Sequence, residues 1–270
     1  MNRYKIIFSD IDGTLLDSKQ NIPLKTRDHL FKLSNKGVPF ILVSGRMPPS
    51  VVNIQHKIGL NAPYISYGGA LVRDANGKTI WDKRMKLKTA VDLHNRIADF
   101  SNKVISYTFS ADHWITDVDD GTAALYLEKE TTALKPLVGK PQDVLGKDDP
   151  VHKLLCTGDE KLMDELQTVL RAEFPDCSIF KSLPRYLEIM SAESSKSAAA
   201  GFLCDYLDIK QSESIAFGDN FNDVDLLEFA GLGVAMDNAP VPVKQAADLV
   251  APSNNEEGLR FILEKLAVKG

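Results

Sequence analysis

The stretch Tyr4-Lys5-Ile6-Ile7-Phe8-Ser9-Asp10-Ile11-Asp12-Gly13-Thr14 decides how the chain is read. A short β-rich apolar run, Tyr4 to Phe8, stops at Asp10-Ile11-Asp12-Gly13, where charge and glycine end a buried strand and open a loop. The pattern then repeats downstream. Leu24 to Lys36 places Leu30, Phe31 and Leu33 on a helical period and closes at Gly37. Val38 to Val43 is a second apolar run, ending in Ser44-Gly45-Arg46. A helix from Pro49 to Ile58 follows, and a third run, Ala62 to Tyr67, ends at Gly68-Gly69. Apolar strands alternating with helices predict a parallel sheet buried on both faces.

Beyond this point the texture changes. Asn76-Gly77 lies between Ala70 to Arg73 and Lys78 to Trp81, the signature of a hairpin with a type I′ turn. From about Arg84 to Arg185 the chain reads as helix Lys88 to Ser101, strands Ile105 to Phe109 and His113 to Asp117, and a helical stretch near Ala123 to Leu134. A loop from Lys135 to Pro150, strand Val151 to Cys156, helix Asp159 to Glu173, and strands Ser178 to Ser182 and Tyr186 to Met190 complete it. Paired strands between helices predict a separate α+β module. The first texture returns with helix Ser197 to Leu207, strand Ile215 to Phe217 ending at Gly218-Asp219, helix Asp223 to Phe229, strands Gly233 to Met236 and Leu249 to Ala251, and a final helix from Glu256. The expected fold is therefore α/β: a doubly wound, Rossmann-like parallel-sheet core made from residues 1–84 and 188–270, with an α+β domain, residues 85–187, inserted.

Composition is consistent with this. The 270 residues are 44% hydrophobic and 26% charged, which excludes a disordered or collagen-like chain. A net charge of −5 argues against a protein that coats nucleic acid. Three scattered cysteines, Cys156, Cys177 and Cys204, support neither a disulfide framework nor a thiolate zinc site, and a reducing, cytoplasmic setting is expected. No apolar run approaches the ~18 residues of a membrane span, and Asp10 and Asp12 interrupt the N-terminal run too early for a secretory signal.

The chemistry is expected where the core strands end. In an open parallel sheet, ligands bind outside the carboxyl ends of the strands, so Asp10, Asp12, Ser44, Asp219 and Asp223 converge there. Taken singly, each aspartate reads equally as a turn residue or helix cap, Ser44 as an N-cap, and Lys196 as a solvated surface lysine. Together they read differently. Carboxylates crowded into one cleft repel unless a cation neutralises them, and hard oxygen ligands suit magnesium. Ser44 and Gly45, at a strand-to-helix turn, offer a hydroxyl and backbone N–H groups to an oxyanion, and Lys196 adds a positive charge. The set describes a site for a phosphoryl group.

Four ordered segments carry a resemblance: Ile6 to Leu16, containing Asp10-Ile11-Asp12-Gly13-Thr14-Leu15-Leu16; Val43-Ser44-Gly45-Arg46; Ser195-Lys196; and Gly218-Asp219-Asn220-Phe221-Asn222-Asp223. The chain resembles the haloacid dehalogenase-like (HAD) phosphatases. An insertion between the second and third motifs looks like the Cof-type branch with a subclass IIB cap. The resemblance implies that Asp10 is the nucleophile, forming an aspartyl phosphate, and that Asp12 is the general acid/base. It implies magnesium held by Asp10, the Asp12 carbonyl and Asp219, supported by Asp223. It further implies that the Ile11 N–H, Ser44, Gly45, Arg46, Lys196 and Asn222 hold the phosphoryl oxygens. A carboxylate at Asp12, where the ion-pumping ATPases of this superfamily carry Thr, favours turnover to inorganic phosphate. Two departures stand out: Ser197 where many Cof-type sequences have Gly, and Gly68-Gly69-Ala70 where many read Asn-Gly-Ala.

The implied activity is hydrolysis of small phosphomonoesters, sugar phosphates foremost, with pyridoxal phosphate and flavin mononucleotide as competitors, by a monomer or weak homodimer. Candidate readers of the leaving group in the inserted domain are His113, Trp114, Asp117, Asp119, Asp120 and Arg185. A phosphotransferase or mutase on the same fold, or a non-catalytic binder of phosphorylated metabolites, are the alternatives. Phosphate release without an acceptor excludes the first, and metal-dependent turnover of para-nitrophenyl phosphate excludes the second. A dinucleotide-binding enzyme is disfavoured, since no GxGxxG follows the first strand.

Overall fold

The computed structural model describes residues 4–118 and 134–266. Among these residues the chain forms two compact units. One comprises the described residues up to Gly45, Val51–Trp81 and those from Ser195 onward; the other comprises Arg46–Ser50 and the described residues from Asp82 to Ser194. The bounds expected from sequence, 84/85 and 187/188, fall a few residues away, and the second would cut a strand of the inserted sheet.

The first unit is built on β1 (Ile6–Ser9), β2 (Phe40–Val43), β3 (Tyr64–Ser66), β4 (Leu71–Arg73) and β5 (Thr79–Asp82) from the first half of the chain. After six strands of the inserted domain, which form a sheet of their own, the chain returns to the first sheet with β12 (Ser214–Gly218), β13 (Leu232–Met236) and β14 (Leu249–Ala251). They join in the order β14-β13-β12-β1-β2-β3-β4-β5. The six strands from β14 to β3 run parallel, and β4 turns back antiparallel to β3. The chain builds outward from β1 through β2 and β3 on one side and from β12 on the other, so the direction reverses between β1 and β12. That reversal is the switch point where an open sheet leaves a crevice.

Alternation along β1 explains the two-sided core. Ile7 packs with α1 (Leu24–Asn35), α2 (Pro48–Ile58) and α9 (Gly258–Lys265) through Leu30, Ile54 and Ile262. Ile6 and Phe8 pack on the opposite face with α6 (Lys196–Tyr206) and α7 (Val224–Phe229) through Leu203 and Leu226. Full burial of Phe8 contributes roughly 1.5–3 kcal/mol, which a polar residue at that position would forfeit. Helix α1 ends where expected, at Gly37 with φ +82°.

The second unit carries β6 (Ile105–Ser110), β7 (His113–Thr116), β8 (Leu137–Val138), β9 (Lys153–Thr157), β10 (Cys177–Leu183) and β11 (Tyr186–Ser191), ordered β10-β11-β9-β6-β7-β8. Helices α3 (Leu87–Phe100) and α5 (Glu160–Glu173) pack on this sheet through Leu93, Ile97, Met163 and Leu166 against Leu154, Cys156 and Ile189. Asp159 caps α5, its carboxylate accepting from Lys161 N–H at 3.1 Å. The two ends of this unit's long segment are joined by Lys83 Nζ to Glu193 Oε2 at 2.8 Å and by Ser194 Oγ donating to the Lys83 carbonyl at 3.2 Å.

Two local expectations differ from the structure, and one helix has no counterpart among them. The 74–78 turn is not type I′: only Gly77 has positive φ, +80°, because the Asp74 carboxylate accepts from Asn76 and Lys78 N–H and closes the turn another way. The 135–150 loop contains β8 and a one-turn helix, α4 (Pro141–Val144), both too short to show a period. Helix α8 (Val241–Ala246) is hidden in sequence by Pro240 and Pro242, which its start tolerates. The expected helix near 123–134 lies outside the described residues except for Leu134.

Candidate active site

Parallel pairing brings the strand ends together. Ser9 lies opposite Leu42 on one side and Phe217 on the other, so Ser44, Asp10 and Asp219 leave adjacent strands at nearly one level. Asp10 N–H donates to the Phe217 carbonyl at 3.0 Å, tying the end of β1 to β12. The chain then turns through Ile11 to Leu15, closed by Leu16 N–H on the Ile11 carbonyl at 2.9 Å. Asp12 stands exposed on this turn with extended backbone, and Gly13 follows at φ +77°. A Cβ at Gly13 would lie 2.2 Å from Asp219 Oδ2, so glycine is required for close approach as well as for backbone.

At the centre lies Lys196, 2% exposed. The reading of this residue as a solvated surface lysine does not hold. Its Nζ lies 2.6 Å from Asp10 Oδ1 and 2.5 Å from Asp223 Oδ1. Asp223 is fully buried, and its second oxygen accepts from both Asp219 and Asn220 N–H at 3.0 Å. Asp223 therefore holds the lysine and shapes the Asp219-Asn220 turn together. Ser195 caps α6, its hydroxyl accepting from Ala198 N–H at 2.9 Å, while Ser197 N–H donates to Asp225 at 3.0 Å. The cap role falls to Ser195, so Ser197 in place of Gly is an ordinary first-turn residue.

The electrostatics follow from burial. Desolvation raises the Asp10 carboxyl well above its ordinary range; Lys196 opposes this, and Asp223, Asp219 and Asp12 add to it. Burial also pushes Asp219 up to about 6, opposed by a hydrogen bond from Thr14 Oγ1 at 2.7 Å and reinforced by Asp223. Burial works against the Lys196 ammonium, yet Asp10 and Asp223 overcome it and hold the ammonium above its usual pKa. One buried cation thus faces more carboxylate charge than it offsets. Asp10, Asp219 and Asp223 each offer an oxygen within 4.8 Å of the others, a hard donor set that fits a divalent ion. Since both Asp223 oxygens already accept internal hydrogen bonds, Asp10 and Asp219 fit as ligands and Asp223 as the residue that orients them.

The remaining expected residues divide. Ser44 is buried, donates its N–H to the Ile65 carbonyl at 3.0 Å and accepts from Gly68 N–H at 2.9 Å. It is not a cap, because α2 begins four residues later at Pro48. Ile11 is buried through its side chain, Gly45 is half-buried, and Asn222 is exposed on the turn before Asp223. Arg46 is buried, and its Nη1 donates to Ser50 Oγ at 3.2 Å within the second unit. Gly68 has φ +58°, a conformation that Gly and Asn both tolerate, which accounts for the departure from Asn-Gly-Ala. Sequence reasoning missed Thr14 and Asp225; a hydroxyl four residues after Asp10 was the available signal for the first.

In the second unit, Trp114 is buried and donates its indole N–H to the Leu134 carbonyl at 2.9 Å. Asp117 Oδ2 lies 3.4 Å from His94 Nε2, Arg185 Nε donates to the Gly158 carbonyl at 3.0 Å, and His113 is exposed at a strand start. Asp119 and Asp120 lie outside the described residues.

The eight-stranded sheet thus carries, beside its switch point, a Lys-bridged aspartate cluster. Residues 7–263 match the model of the haloacid dehalogenase-like hydrolase family, and the chain belongs to that family. A protein of Haemophilus influenzae is 34% identical over 262 residues, covering 97% of this chain and 98% of the relative. The 5-amino-6-(5-phospho-D-ribitylamino)uracil phosphatase YitU of Bacillus subtilis is 27% identical over 269 residues, covering 96% of each chain. The crystal structure of TM0651 from Thermotoga maritima superposes with a TM-score of 0.86 at 32% identity, covering 97% of each chain. The enzyme is a phosphatase. No helix among the described residues is long and apolar enough to cross a membrane.

Proposed function

We propose that the protein is a magnesium-dependent phosphomonoesterase of small phosphorylated metabolites, sugar phosphates foremost, working through an aspartyl phosphate on Asp10. The observation that carries this reading is the Lys196 ammonium, buried between Asp10 and Asp223 beside Asp219. The ammonium opposes the effect of burial on the Asp10 carboxylate and orients it for attack on phosphorus. In the first step the Asp10 carboxylate forms a bond to phosphorus as the ester P–O bond breaks, and the Asp12 carboxyl gives its proton to the departing oxygen. In the second, the Asp12 carboxylate takes a proton from water, whose oxygen attacks phosphorus, releasing inorganic phosphate and restoring the Asp10 carboxylate. Ser44, Gly45, Asn222, Lys196 and the Ile11 N–H hold the phosphoryl oxygens. Magnesium, held by Asp10, the Asp12 carbonyl and Asp219, supplies charge stabilisation to the transferring phosphoryl group.

The substrate class rests on the family and on YitU, which is named for its action on a phosphorylated ribityl compound. The inserted unit is the subclass IIB cap that selects the leaving group. The test is phosphate release from para-nitrophenyl phosphate and a panel of sugar phosphates, pyridoxal phosphate and flavin mononucleotide, with magnesium and with chelator. Turnover with magnesium alone is expected; equal turnover in chelator overturns the metal dependence.

A further inference from the structure

Three successive residues after β3 have left-handed backbone: Tyr67 at φ +51°, Gly68 at +58° and Gly69 at +102°. Tyr67 is fully buried and bulky, and a non-glycine residue in this region costs on the order of 1–2 kcal/mol, so the surrounding structure must enforce the turn. What it touches explains why. Gly68 N–H donates to the Ser44 carbonyl at 2.9 Å. Gly69 abuts the first peptide of α6 so closely that a Cβ there would lie 2.0 Å from the Ser195 carbonyl oxygen and 2.9 Å from Lys196 N. The turn thus spans from Ser44 to Lys196. From outside it is fastened by Trp81, whose indole N–H donates to the Gly69 carbonyl at 3.0 Å and whose ring lies 5.1 Å from that of Phe202 on α6.

We infer that the Tyr67–Gly69 turn is a bracket that fixes the separation of Ser44 and Lys196, and that Trp81 is a positioning residue holding it through the indole N–H. This rests on the reading of Ser44 and Lys196 as phosphoryl-holding groups. Trp81 acts on the site through the Gly69 carbonyl and the Phe202 ring. The indole ring and the indole N–H have separable tasks: the ring packs on Phe202 and stabilises α6, while the N–H sets the height of Gly69 against Ser195 and hence where the ammonium sits.

The experiment compares Trp81→Phe, Phe202→Leu and Lys196→Ala on para-nitrophenyl phosphate with magnesium, alongside thermal unfolding. Trp81→Phe keeps a ring beside Phe202 and removes the N–H; kcat is expected to fall about tenfold with KM within about twofold and little change in Tm, since small misplacements of positioning groups cost rate. Phe202→Leu is expected to lower Tm and leave kcat unchanged. If Trp81→Phe does not fold, Trp81→His, which retains a ring N–H, serves in its place and is expected to keep more activity than Trp81→Leu. Wild-type kcat in Trp81→Phe, or a kcat loss matched only by lost folded protein, overturns the bracket. An active Lys196→Ala overturns the phosphoryl-site reading itself, and an inactive Lys196→Ala with fully active Trp81→Phe overturns the bracket alone.

Discussion

Lys196 Nζ joins Asp10, 186 residues earlier in the chain, to Asp223, 27 residues later, at 2.6 and 2.5 Å. Removing the ammonium leaves two buried carboxylates without their cation, a loss of roughly 3–5 kcal/mol when one partner of a buried pair is deleted. Lys196→Ala is therefore expected to lose at least a hundredfold in kcat/KM and to unfold at lower denaturant. Arginine should not restore activity, because its planar fork cannot replace a point charge in this space. Full activity in Lys196→Arg would show that position matters less than charge.

Asp10→Asn separates chemistry from stability. The amide has no carboxylate to attack phosphorus, so turnover is expected to vanish. The Asp10 carboxyl is raised by burial, which means that its ionised form is disfavoured in the folded protein. In metal-free buffer at pH 7, Asp10→Asn is therefore expected to be no less stable than the parent by chemical denaturation. Phosphate release by this variant at more than background rate would refute the covalent route.

Magnesium binding should depend on pH through Asp219. Its carboxyl, raised from 3.8 to about 6, binds a proton more tightly folded than unfolded. That contribution to stability is present below pH 3.8 and is lost as pH rises to about 6, after which it stays lost. A bound cation reverses the balance by favouring the ionised form. Magnesium is thus expected to raise Tm more at pH 7.5 than at pH 5, and calorimetry should show protons released on binding near pH 5.5. Equal magnesium affinity at both pH values would remove Asp219 from the ligand set.

Gly13→Ala tests the close approach at the β1 turn. The added Cβ meets Asp219 Oδ2 at 2.2 Å, and the backbone at φ +77° adds strain of roughly 1–3 kcal/mol. Asp219 must move, so the magnesium concentration for half-maximal activity should rise at least tenfold. An unchanged metal requirement with lowered stability would confine Gly13 to the backbone role.

Cys156 and Cys204 are almost fully buried, with thiols pushed by burial up to about 12 and about 11. Iodoacetamide at pH 7.5 is expected to modify both only after denaturation, since the thiolate is the reactive form. Rapid native-state labelling of Cys156, read by mass spectrometry, would mean that the sheet of the second unit opens locally.

Much of the fold was legible because its strands are continuous apolar runs ended by charge and glycine. Ile6 to Phe8, Phe40 to Val43 and Ile215 to Phe217 are buried on both faces, and that burial is written directly in their composition. Short elements were not legible. Leu137–Val138 and Pro141–Val144 are held by neighbours, and no period can be read from two or four residues. The Asp74 carboxylate likewise decided the 74–78 turn against the Asn-Gly signal, through hydrogen bonds that propensity does not weigh.

By itself, the sequence determined which residue types meet at the strand ends: Asp10 and Asp12, Ser44, Lys196, Asp219 and Asp223, each following a run or preceding a helix that local patterning specifies. Only the tertiary structure decided what each one does. Lys196 precedes an alanine-rich helix like many surface lysines, and its burial arises because Gly69 lets α6 approach and because Asp10 and Asp223 arrive from distant strands. Asp219 and Asp223, four residues apart and chemically alike, part company there: one is left with charge to be neutralised, and the other is consumed by an ammonium and two backbone N–H groups. Such a division depends on which donors surround each carboxylate in space, and local sequence does not encode that neighbourhood.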